Sequence, residues 1–380
     1  MMTWYKSGNR PWTMNLARSI ALHAAQKSIF PATREIFALA KVVEVLSSPN
    51  SAAEVTGEFN RVKLFLLTLD ANAVAGALPY DQLIEALAIA FASNIDVPHR
   101  AHHDVPVPDR KPGTMLLMPA WQSGGSMGVK IVTVFPDNVT QDYPAVLASY
   151  ILMNAETGAP IAVLDGTELT LRRTAAASAL ASSYLSRHKS SKLLMVGTGN
   201  LAPHLIAAHA TARPIHDVCI WGRRREAAER LAATLAAAAI DVTVSENLQQ
   251  AVRQADIISC ATLAIDPLIK GDWLGAGQHL DLVGAFKPGM READSDVISH
   301  ADVYVDTKAG GLSEAGDIVQ AIEDGSIDAS DIKGELRDLV TGACTGRAST
   351  EAITLFKSVG TALEDLAAAE LAVRNFMQDA

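Results

Sequence analysis

The sequence of 380 residues predicts an α/β fold with two lobes, one a doubly wound parallel sheet and the other a discontinuous α+β lobe. Across residues 192–307, short apolar runs alternate with amphipathic segments, which is typical of parallel strands connected by helices. Across residues 67–186, short β-rich runs follow one amphipathic helix at 80–92. The tail at 317–380 reads mainly as helix, so we expect it to return to the first lobe.

These blocks predict three parts along the chain. Residues 66–187 together with 318–380 form the α+β lobe, and residues 188–317 form the parallel-sheet lobe. Residues 1–65 are an N-terminal extension outside the fold. The first 34 residues contain no Asp or Glu but several basic side chains, which also fits an organellar transit peptide, so both interpretations stay open.

The composition describes a globular protein, because 49% of the residues are hydrophobic and 19% are charged, with a net charge of −10. A pI near 5.5 argues against nucleic-acid binding, since neutralising phosphates needs a basic surplus. No apolar run reaches the length of a bilayer span, so no membrane partner is expected. The cysteines and the histidines at 99–103 lack the spacing of metal ligands, so we expect no metal. Free thiols favour a reducing, cytoplasmic location, with organellar import as the alternative.

A dinucleotide fingerprint follows the first strand of the parallel block. The apolar run at 192–196 leads directly into a glycine-rich turn, and a helix is predicted from Pro203 onward. In this order the first glycine permits a tight turn, the second lets backbone approach a pyrophosphate, and the final alanine allows close helix packing. The helix N-terminus then offers free N–H groups to the anion. The residues of the turn are Gly197, Thr198, Gly199, Asn200, Leu201 and Ala202.

The second strand ends in three arginines at 223–225, where sites that prefer NAD usually carry Asp or Glu. A guanidinium suits a 2′-phosphate, through charge and bidentate hydrogen bonds. The alternative is a solvated positive start to the next helix, but cations are disfavoured there. We therefore expect Arg223 and Arg224 to bind NADP(H), with NAD(H) as the alternative.

Other strand ends of this block predict further cofactor contacts. Thr262 follows one strand, and Val283-Gly284 offers backbone that a nicotinamide ring can approach. No GxSxG motif and no Walker A motif is present in the sequence, so neither nucleophilic hydrolysis nor phosphoryl transfer is indicated.

Three cations outside the parallel block are candidates for binding a substrate carboxylate. Lys130 lies inside an apolar strand at 128–132, where a charge is costly unless it is paired, although a solvent-facing side of the strand is the alternative. Arg173 precedes a small-residue helix predicted from Thr174, at the helix end that disfavours cations. With Arg100, these side chains would form a cationic clamp at the mouth of the cofactor cleft.

Five motifs, in order along the chain, resemble those of the ornithine cyclodeaminase/mu-crystallin family. The resemblance covers roughly Leu67 to the C-terminus. The motifs are Gly128-Val-Lys130-Ile-Val, Leu171-Arg-Arg173-Thr-Ala-Ala, Gly197-Thr-Gly-Asn-Leu-Ala202, Val283-Gly-Ala-Phe-Lys-Pro-Gly-Met-Arg-Glu292, and Phe356-Lys-Ser358-Val-Gly360 with Asp365 shortly after.

The resemblance implies a homodimer whose subunits pair through the β-rich lobe, beside a Rossmann lobe. It also implies that Arg100, Lys130 and Arg173 hold the carboxylate of an amino or imino acid. Residues Thr174 and Ser358, together with Arg173, are implied to lie close to the cofactor.

Two departures from the family pattern narrow the expected chemistry. Cyclodeaminases carry an acid at the position of Leu116 and an Asp at the position of Phe286. Leucine and phenylalanine transfer no protons. The sequence therefore resembles the reductase branch, with its ketimine reductases and Δ1-pyrroline-2-carboxylate reductases.

We expect NADPH-dependent reduction of Δ1-pyrroline-2-carboxylate to L-proline, with the six-membered piperideine analogue, which gives L-pipecolate, as a second candidate substrate. The substrate nitrogen is protonated by Lys130 or by an ordered water, while Phe286 packs on the substrate ring and excludes water. Three alternatives remain: an ornithine cyclodeaminase, an alanine dehydrogenase, and a crystallin-like protein that binds NADPH without turnover.

Overall fold

A computed structural model describes residues 66–141, 143–235 and 240–378. The predicted extension at 1–65 and its alternative as a transit peptide lie outside the described residues. The strands are β1 (Leu67–Leu69), β2 (Ala101–Val105), β3 (Gly113–Trp121), β4 (Ser126–Val134), β5 (Val146–Asn154), β6 (Pro160–Asp165), β7 (Lys192–Val196), β8 (Asp217–Trp221), β9 (Asp241–Val244), β10 (Ile257–Cys260), β11 (His279–Leu282), β12 (Asp302–Val305), β13 (Gly334–Glu335) and β14 (Thr354–Lys357).

The helices follow the strands in the order that the sequence predicts for the parallel block. They are α1 (Ala71–Ala77), α2 (Tyr80–Ala92), α3 (Gly166–Leu185), α4 (Ala202–Ala212), α5 (Arg225–Leu235), α6 (Leu248–Gln254), α7 (Ser295–His300), α8 (Lys308–Ser313), α9 (Gly316–Glu323), α10 (Leu336–Thr341) and α11 (Ala362–Gln378). Among the described residues no single helix is long and apolar enough to cross a membrane. The consecutive helices α1 and α2 together have the length and composition of a membrane span, but the pair is bent by 80°.

Two sheets confirm the predicted α/β fold. The first has six strands in the order β1-β6-β5-β4-β3-β2, and its pairs from β2 to β6 are antiparallel, whereas β1 pairs with β6 in parallel. The second has eight parallel strands in the order β13-β12-β14-β11-β10-β7-β8-β9. Strands such as β7 and β10 are apolar at nearly every position because helices cover both faces of this sheet.

The tail divides between the lobes differently from the predicted boundary at residue 317. Strand β14 lies between β11 and β12, and β13 forms an edge of the same parallel sheet. The prediction of a mainly helical tail misses them because Thr354–Lys357 has four residues that are all buried, so the run shows no alternation. Helix α11 does pack on the first lobe, against α1, α2, α3 and the strands β3 to β5.

Helix α3 begins earlier than predicted, which changes the environment of Arg173. The carboxylate of Asp165 caps the helix by accepting a hydrogen bond from the backbone N–H of Glu168 at 2.8 Å. The prediction of a helix from Thr174 was therefore wrong, since Arg173 lies in the helix interior rather than before its N-terminus. Its side chain consequently faces the buried interior, where α11 supplies its partners.

Helix α3 also joins the two lobes. Its alanines at 176, 177 and 181 belong to the core of the mixed sheet, whereas those at 175 and 179 pack in the core under α4. Small side chains let the helix approach both neighbours closely. Arg173 is thereby held where the two lobes meet.

Candidate active site

The carboxyl ends of the parallel strands meet at one edge of the sheet, and the topology reverses beside β7. Strands β8 and β9 lie on one side of β7, whereas β10 and β11 lie on the other. Such a reversal opens a crevice at the carboxyl ends, where open α/β sheets bind ligands. The predicted dinucleotide turn at 197–201 follows β7 directly and so lies at this crevice.

The turn has the shape that a pyrophosphate requires. Gly197 has φ of +120°, and a Cβ there would lie 2.5 Å from the carbonyl oxygen of Ala261, so only glycine fits. At Gly199, by contrast, no described atom lies within 4 Å of a Cβ position, so its backbone faces open space. Helix α4 begins at the buried Ala202 and directs its free N–H groups toward the turn. These residues fit the diphosphate of a dinucleotide.

The three arginines after β8 are not equivalent. Arg225 forms ion pairs with Glu229, at 2.7 Å, and with Glu246. Arg223 and Arg224 are exposed and have no ion pair within the described part of the chain. They are therefore the two guanidinium groups of this cluster that can bind an added phosphate.

The loops after β10 and β11 are fixed to each other by one buried carboxylate. Glu292 accepts hydrogen bonds from the backbone N–H of Thr262 at 2.7 Å and from its hydroxyl at 2.8 Å. A Cβ at Gly284 would collide with Thr262 and Glu292, so this backbone is packed as closely as glycine allows. The contact places Thr262 and Val283-Gly284 side by side, as the cofactor prediction requires.

A buried ion cluster lies beneath this loop. The Lys357 ammonium donates a hydrogen bond to the carbonyl oxygen of Gly284 and lies 3.0 Å from a carboxylate oxygen of Asp317. Asp317 also accepts from the backbone N–H of Glu292 at 2.7 Å. Burial, partly offset by Lys357, raises the pKa of Glu292 to about 7. Ser358, which follows Lys357, is buried as well.

Two of the three predicted carboxylate-binding cations share one acid. The Lys130 ammonium and the Nε of Arg173 each lie 2.8 Å from Asp365 oxygens, and Nη1 of Arg173 lies 2.5 Å from Glu364. Lys130 is 2% exposed and Arg173 is 5% exposed, so the solvent-facing alternative for Lys130 was wrong. Burial, and then the charge of Arg173, lower the pKa of Lys130 to about 8.

The third cation joins them through Gly360. A guanidinium nitrogen of Arg100 donates to the carbonyl oxygen of Gly360 at 2.6 Å, and its Nε lies 3.3 Å from Glu314. Gly360 has φ of +79°, and a Cβ there would lie 2.5 Å from Nη1 of Arg173. The structure therefore brings Arg100, Lys130 and Arg173 together around the connection that follows β14. This connection runs beside the end of β11, where the backbone N–H of Ser358 donates to the carbonyl oxygen of Leu282 at 3.2 Å.

Two predicted contacts are less constrained by the geometry. Phe286 is 42% exposed, and its ring centroid lies 5.9 Å from the ammonium of Lys287. Thr174 follows Arg173 and is partly buried. Their contacts with substrate and cofactor stay predictions.

Sequence reasoning named Asp365 as part of a motif but did not identify the buried charges that pair with the carboxylate-binding cations and with the Gly284 loop. Glu364 lies in the first turn of α11 beside Asp365, and Asp317 and Lys357 form the ion pair under Gly284. A signal was available for each of them. Consecutive acids at 364–365 interrupt an alanine- and leucine-rich helix, and Lys357 ends a run that is apolar except for Thr354. Buried charges of this kind need partners.

The family model of the ornithine cyclodeaminase/mu-crystallin family matches residues 66–379. A Δ1-pyrroline-2-carboxylate reductase of Colwellia psychrerythraea is 38% identical over 80% of this chain and 98% of the relative. Ketimine reductase mu-crystallin of Rattus norvegicus is 35% identical over 70% of this chain and 82% of the relative.

Two solved structures share the fold over 83% of this chain. A Δ1-pyrroline-2-carboxylate reductase of Thermococcus litoralis, in complex with NADH and L-proline, has a TM-score of 0.77 at 32% identity and is covered over 98% of its length. An archaeal alanine dehydrogenase dimer with bound NAD has a TM-score of 0.76 at 29% identity and is covered over 97% of its length.

Proposed function

The chain belongs to the ornithine cyclodeaminase/mu-crystallin family, and from this premise we propose that it reduces Δ1-pyrroline-2-carboxylate to L-proline with NADPH. Within the family it is a nicotinamide-dependent oxidoreductase that acts on carbon–nitrogen bonds. The observation that carries the specific proposal is the meeting of Arg100, Lys130 and Arg173 around the connection that follows β14.

The substrate carboxylate binds to the three cations through charge-assisted hydrogen bonds, which fixes the ring against the carboxyl edge of the parallel sheet. When bound, the nicotinamide supplies a hydride to the imine carbon, and the nitrogen gains one proton. Fixing the imine carbon in this orientation removes much of the entropic cost of the transfer. The loop at 262 and 283–284 positions the ring, because Glu292 and Lys357 hold its backbone.

Lys130 is the proposed proton donor to the substrate nitrogen. It is buried beside the other carboxylate-binding cations, and its pKa, lowered by burial to about 8, suits proton donation near neutral pH. Asp365 keeps the ammonium in place at 2.8 Å.

The main alternative, an ornithine cyclodeaminase, needs acids that this site does not have at the two family positions. Leu116 lies on β3, on the same face as Lys130, because Met118 pairs directly with Lys130 and side chains alternate along a strand. An apolar side chain therefore stands where cyclodeaminases carry an acid. An alanine dehydrogenase is the second alternative, and the fold is shared with the archaeal enzyme.

A substrate panel tests the proposed reaction. We expect the purified full chain to oxidise NADPH when given Δ1-pyrroline-2-carboxylate, and to a lesser or similar extent with the piperideine analogue. Pyruvate with ammonia tests the alanine dehydrogenase, and ammonia release from ornithine tests the cyclodeaminase. Turnover of ornithine without imine reduction would reject the proposal, and NADPH binding without any turnover would favour the crystallin-like alternative.

NADPH preference is proposed from the two unpaired arginines. Replacing Arg223 or Arg224 by alanine removes a guanidinium that would bind the 2′-phosphate, and charged hydrogen bonds contribute about 1.5–3 kcal/mol. Because about 1.4 kcal/mol corresponds to a factor of ten in affinity, we expect the KM for NADPH to rise about tenfold or more, with little change in the KM for NADH. Arg225→Ala is the matched control, because Glu229 and Glu246 already occupy that side chain. Equal losses with both cofactors would contradict the assignment.

A homodimer through the outer face of the six-stranded sheet is proposed as the assembly. Neighbouring strands align the apolar side chains of Leu117, Val129, Ile131, Ile151 and Val163 on the face opposite Lys130. These side chains are only partly buried, whereas the core takes its strand residues from the other face. A contiguous apolar sheet face is typical of a subunit interface.

Ile131→Glu should dissociate this dimer, because it buries a charge at the centre of the apolar face. Light scattering coupled to size-exclusion chromatography measures the mass. Ile89→Glu is the control, because Ile89 is exposed on α2, a helix that packs on α3 and α11 in the core on the other face of the sheet. A wild-type monomer, or a dimer that survives Ile131→Glu unchanged, would contradict this interface.

A further inference from the structure

When all four of its buried side chains are charged, the carboxylate-binding site is neutral before substrate arrives. Lys130 and Arg173 supply two positive charges, and Asp365 and Glu364 supply two carboxylates within ion-pair distance of them. All four side chains are at most 6% exposed, so water screens them weakly. Arg100, the remaining cation, lies 3.3 Å from Glu314. A substrate carboxylate would therefore add an uncompensated negative charge to a buried, balanced cluster.

The two acids of this cluster differ in how they are held. Asp365 accepts from both Lys130 and Arg173 through Oδ1, at 2.8 Å each. Its Oδ2 has no hydrogen-bond partner among the described residues but lies 2.8 Å from the Lys130 ammonium. Glu364 accepts from Arg173 through Oε2 only, and its buried Oε1 has no hydrogen-bond partner among the described residues. A proton can therefore sit on Oε1 of Glu364 without breaking the bond from Arg173, whereas a proton on Oδ2 of Asp365 would lie against the Lys130 ammonium.

The charges that face Glu364 come from every element around it. Arg173 faces it from α3, Asp306 from the end of β12, and Asp365 from its own helix, while Lys130 on β4 interacts with it across the cluster. Burial is the largest influence, and together with Asp306 and Asp365 it outweighs Arg173, so the pKa of Glu364 is raised to about 7. For Asp365, burial is outweighed by Lys130 and Arg173, and its pKa is lowered.

We propose that Glu364 takes up a proton when an anionic substrate carboxylate binds beside Arg173 and Lys130. Protonation removes one of the two negative charges, so the cluster of Lys130, Arg173, Glu364 and Asp365 carries a net charge of +1 that attracts the substrate carboxylate. Glu364 acts through Arg173 and is a positioning residue, not a proton donor to the substrate. This inference rests on the proposed function, since it assumes that the substrate carries a carboxylate.

The sign of the pH dependence follows from linkage. Below about pH 7 Glu364 already holds its proton in the free protein, so binding takes up none there. Above that pH binding must bring a proton with it, and affinity falls about tenfold per pH unit until the higher pKa of the complex is passed. Lys130, with a pKa of about 8, adds a similar fall about one pH unit higher, so it contributes less than Glu364 between pH 7 and 8.

Pyrrole-2-carboxylate is a suitable probe, because it is a planar ring acid without a reducible imine. Calorimetry of the cofactor-loaded full chain at pH 7.5, in buffers of different ionisation enthalpy, measures the protons bound per ligand. We expect an uptake approaching one proton for the wild type, and an affinity that declines from about pH 7 upward. Binding of the probe with no proton uptake and no decline between pH 7 and 8 would overturn the inference.

Glu364→Gln separates Glu364 from Lys130. Glutamine keeps an oxygen for Arg173 but cannot titrate, so the proton uptake at pH 7.5 should fall to roughly a quarter of a proton, which Lys130 supplies. The decline in affinity between pH 7 and 8 should lose the share of Glu364, about fivefold, and shrink to about twofold or less. Glu370→Gln, on the same helix and outside the ion pairs described, should keep the wild-type profile. A Glu364→Gln profile that matches the wild type would reject the role of Glu364.

Two readouts keep the two proposals apart. NADPH affinity and the melting temperature of Glu364→Gln show whether the variant is folded. If it does not fold, the proton uptake of the wild type, measured by calorimetry, still tests the inference. If imine reduction and probe binding occur without proton uptake, the inference fails and the proposed function stands. If neither imine turnover nor carboxylate binding is observed, both are rejected.

Discussion

Lys130→Met is expected to reduce kcat/KM for the imino acid by about 10³-fold or more, since a positioned general acid alone contributes about 10²–10⁴-fold. The substitution also removes a cation from the carboxylate site, so both KM and kcat should worsen. Methionine is close in size to the lysine stem, and Arg173 still pairs with Asp365, so the core remains filled and the acid keeps a partner. Steady-state kinetics with the imine, beside fluorescence titration of NADPH, measures both properties.

NADPH affinity should be unchanged in Lys130→Met, because Lys130 lies outside the turn at 197–202 and the arginines at 223–224. Lys192→Met is the matched control, since Lys192 is exposed at the start of β7, at the opposite end of the strand from the crevice. It should behave as wild type in both assays. Retention of more than about a tenth of wild-type kcat/KM in Lys130→Met would exclude Lys130 as the proton donor.

Lys357→Met is expected to be the most destabilising single change at the cofactor edge. It leaves Glu292 and Asp317 buried without their cation, and breaking a buried ion pair from one side costs about 3–5 kcal/mol. The free energy of unfolding, measured by urea denaturation at pH 7.5, should fall by this amount. The Gly284 loop also loses a hydrogen bond, so NADPH affinity should decline in the fraction that folds.

The destabilisation of Lys357→Met should be smaller at pH 5.5 than at pH 7.5. The pKa of Glu292 is already raised to about 7, and loss of the ammonium should raise it further. At pH 5.5 Glu292 is therefore protonated with or without the ammonium, and the loss of the cation costs less stability there. Lys333→Met, an exposed lysine that precedes β13 in the same sheet, is the control and should change stability little. A loss below about 1 kcal/mol for Lys357→Met, as for a surface pair, would show that the cluster does not need this ammonium.

Local features of the fold and the site could be predicted from sequence. The turn at Gly197 is encoded by neighbouring residues, and a lone lysine in an apolar strand indicates a buried, partnered charge wherever its partner lies. The partners themselves could not be predicted, because Asp365 is separated from Lys130 by 235 positions and Glu364 from Arg173 by 191. Only the return of α11 onto the first lobe brings them together.

The errors in the prediction have equally specific causes. The strand at 354–357 is too short and too uniformly buried to show a period, so it reads like part of a helical tail. The start of α3 depends on the cap at Asp165, and small residues further along present a more obvious helical pattern. In both places packing against distant elements decides the structure.

Lys130 and Arg173 pair with the same carboxylate, Asp365, and this sharing affects how the scaffold can evolve. Residues that act as one unit show strong epistasis: the first substitution removes most of the function, and a second adds little further loss. The cations therefore cannot be altered one at a time under selection. Changes of substrate are more accessible at Leu116 and Phe286, which carry no charge in this network. Divergence within such a lineage would accordingly keep its anion site and vary the apolar positions around it.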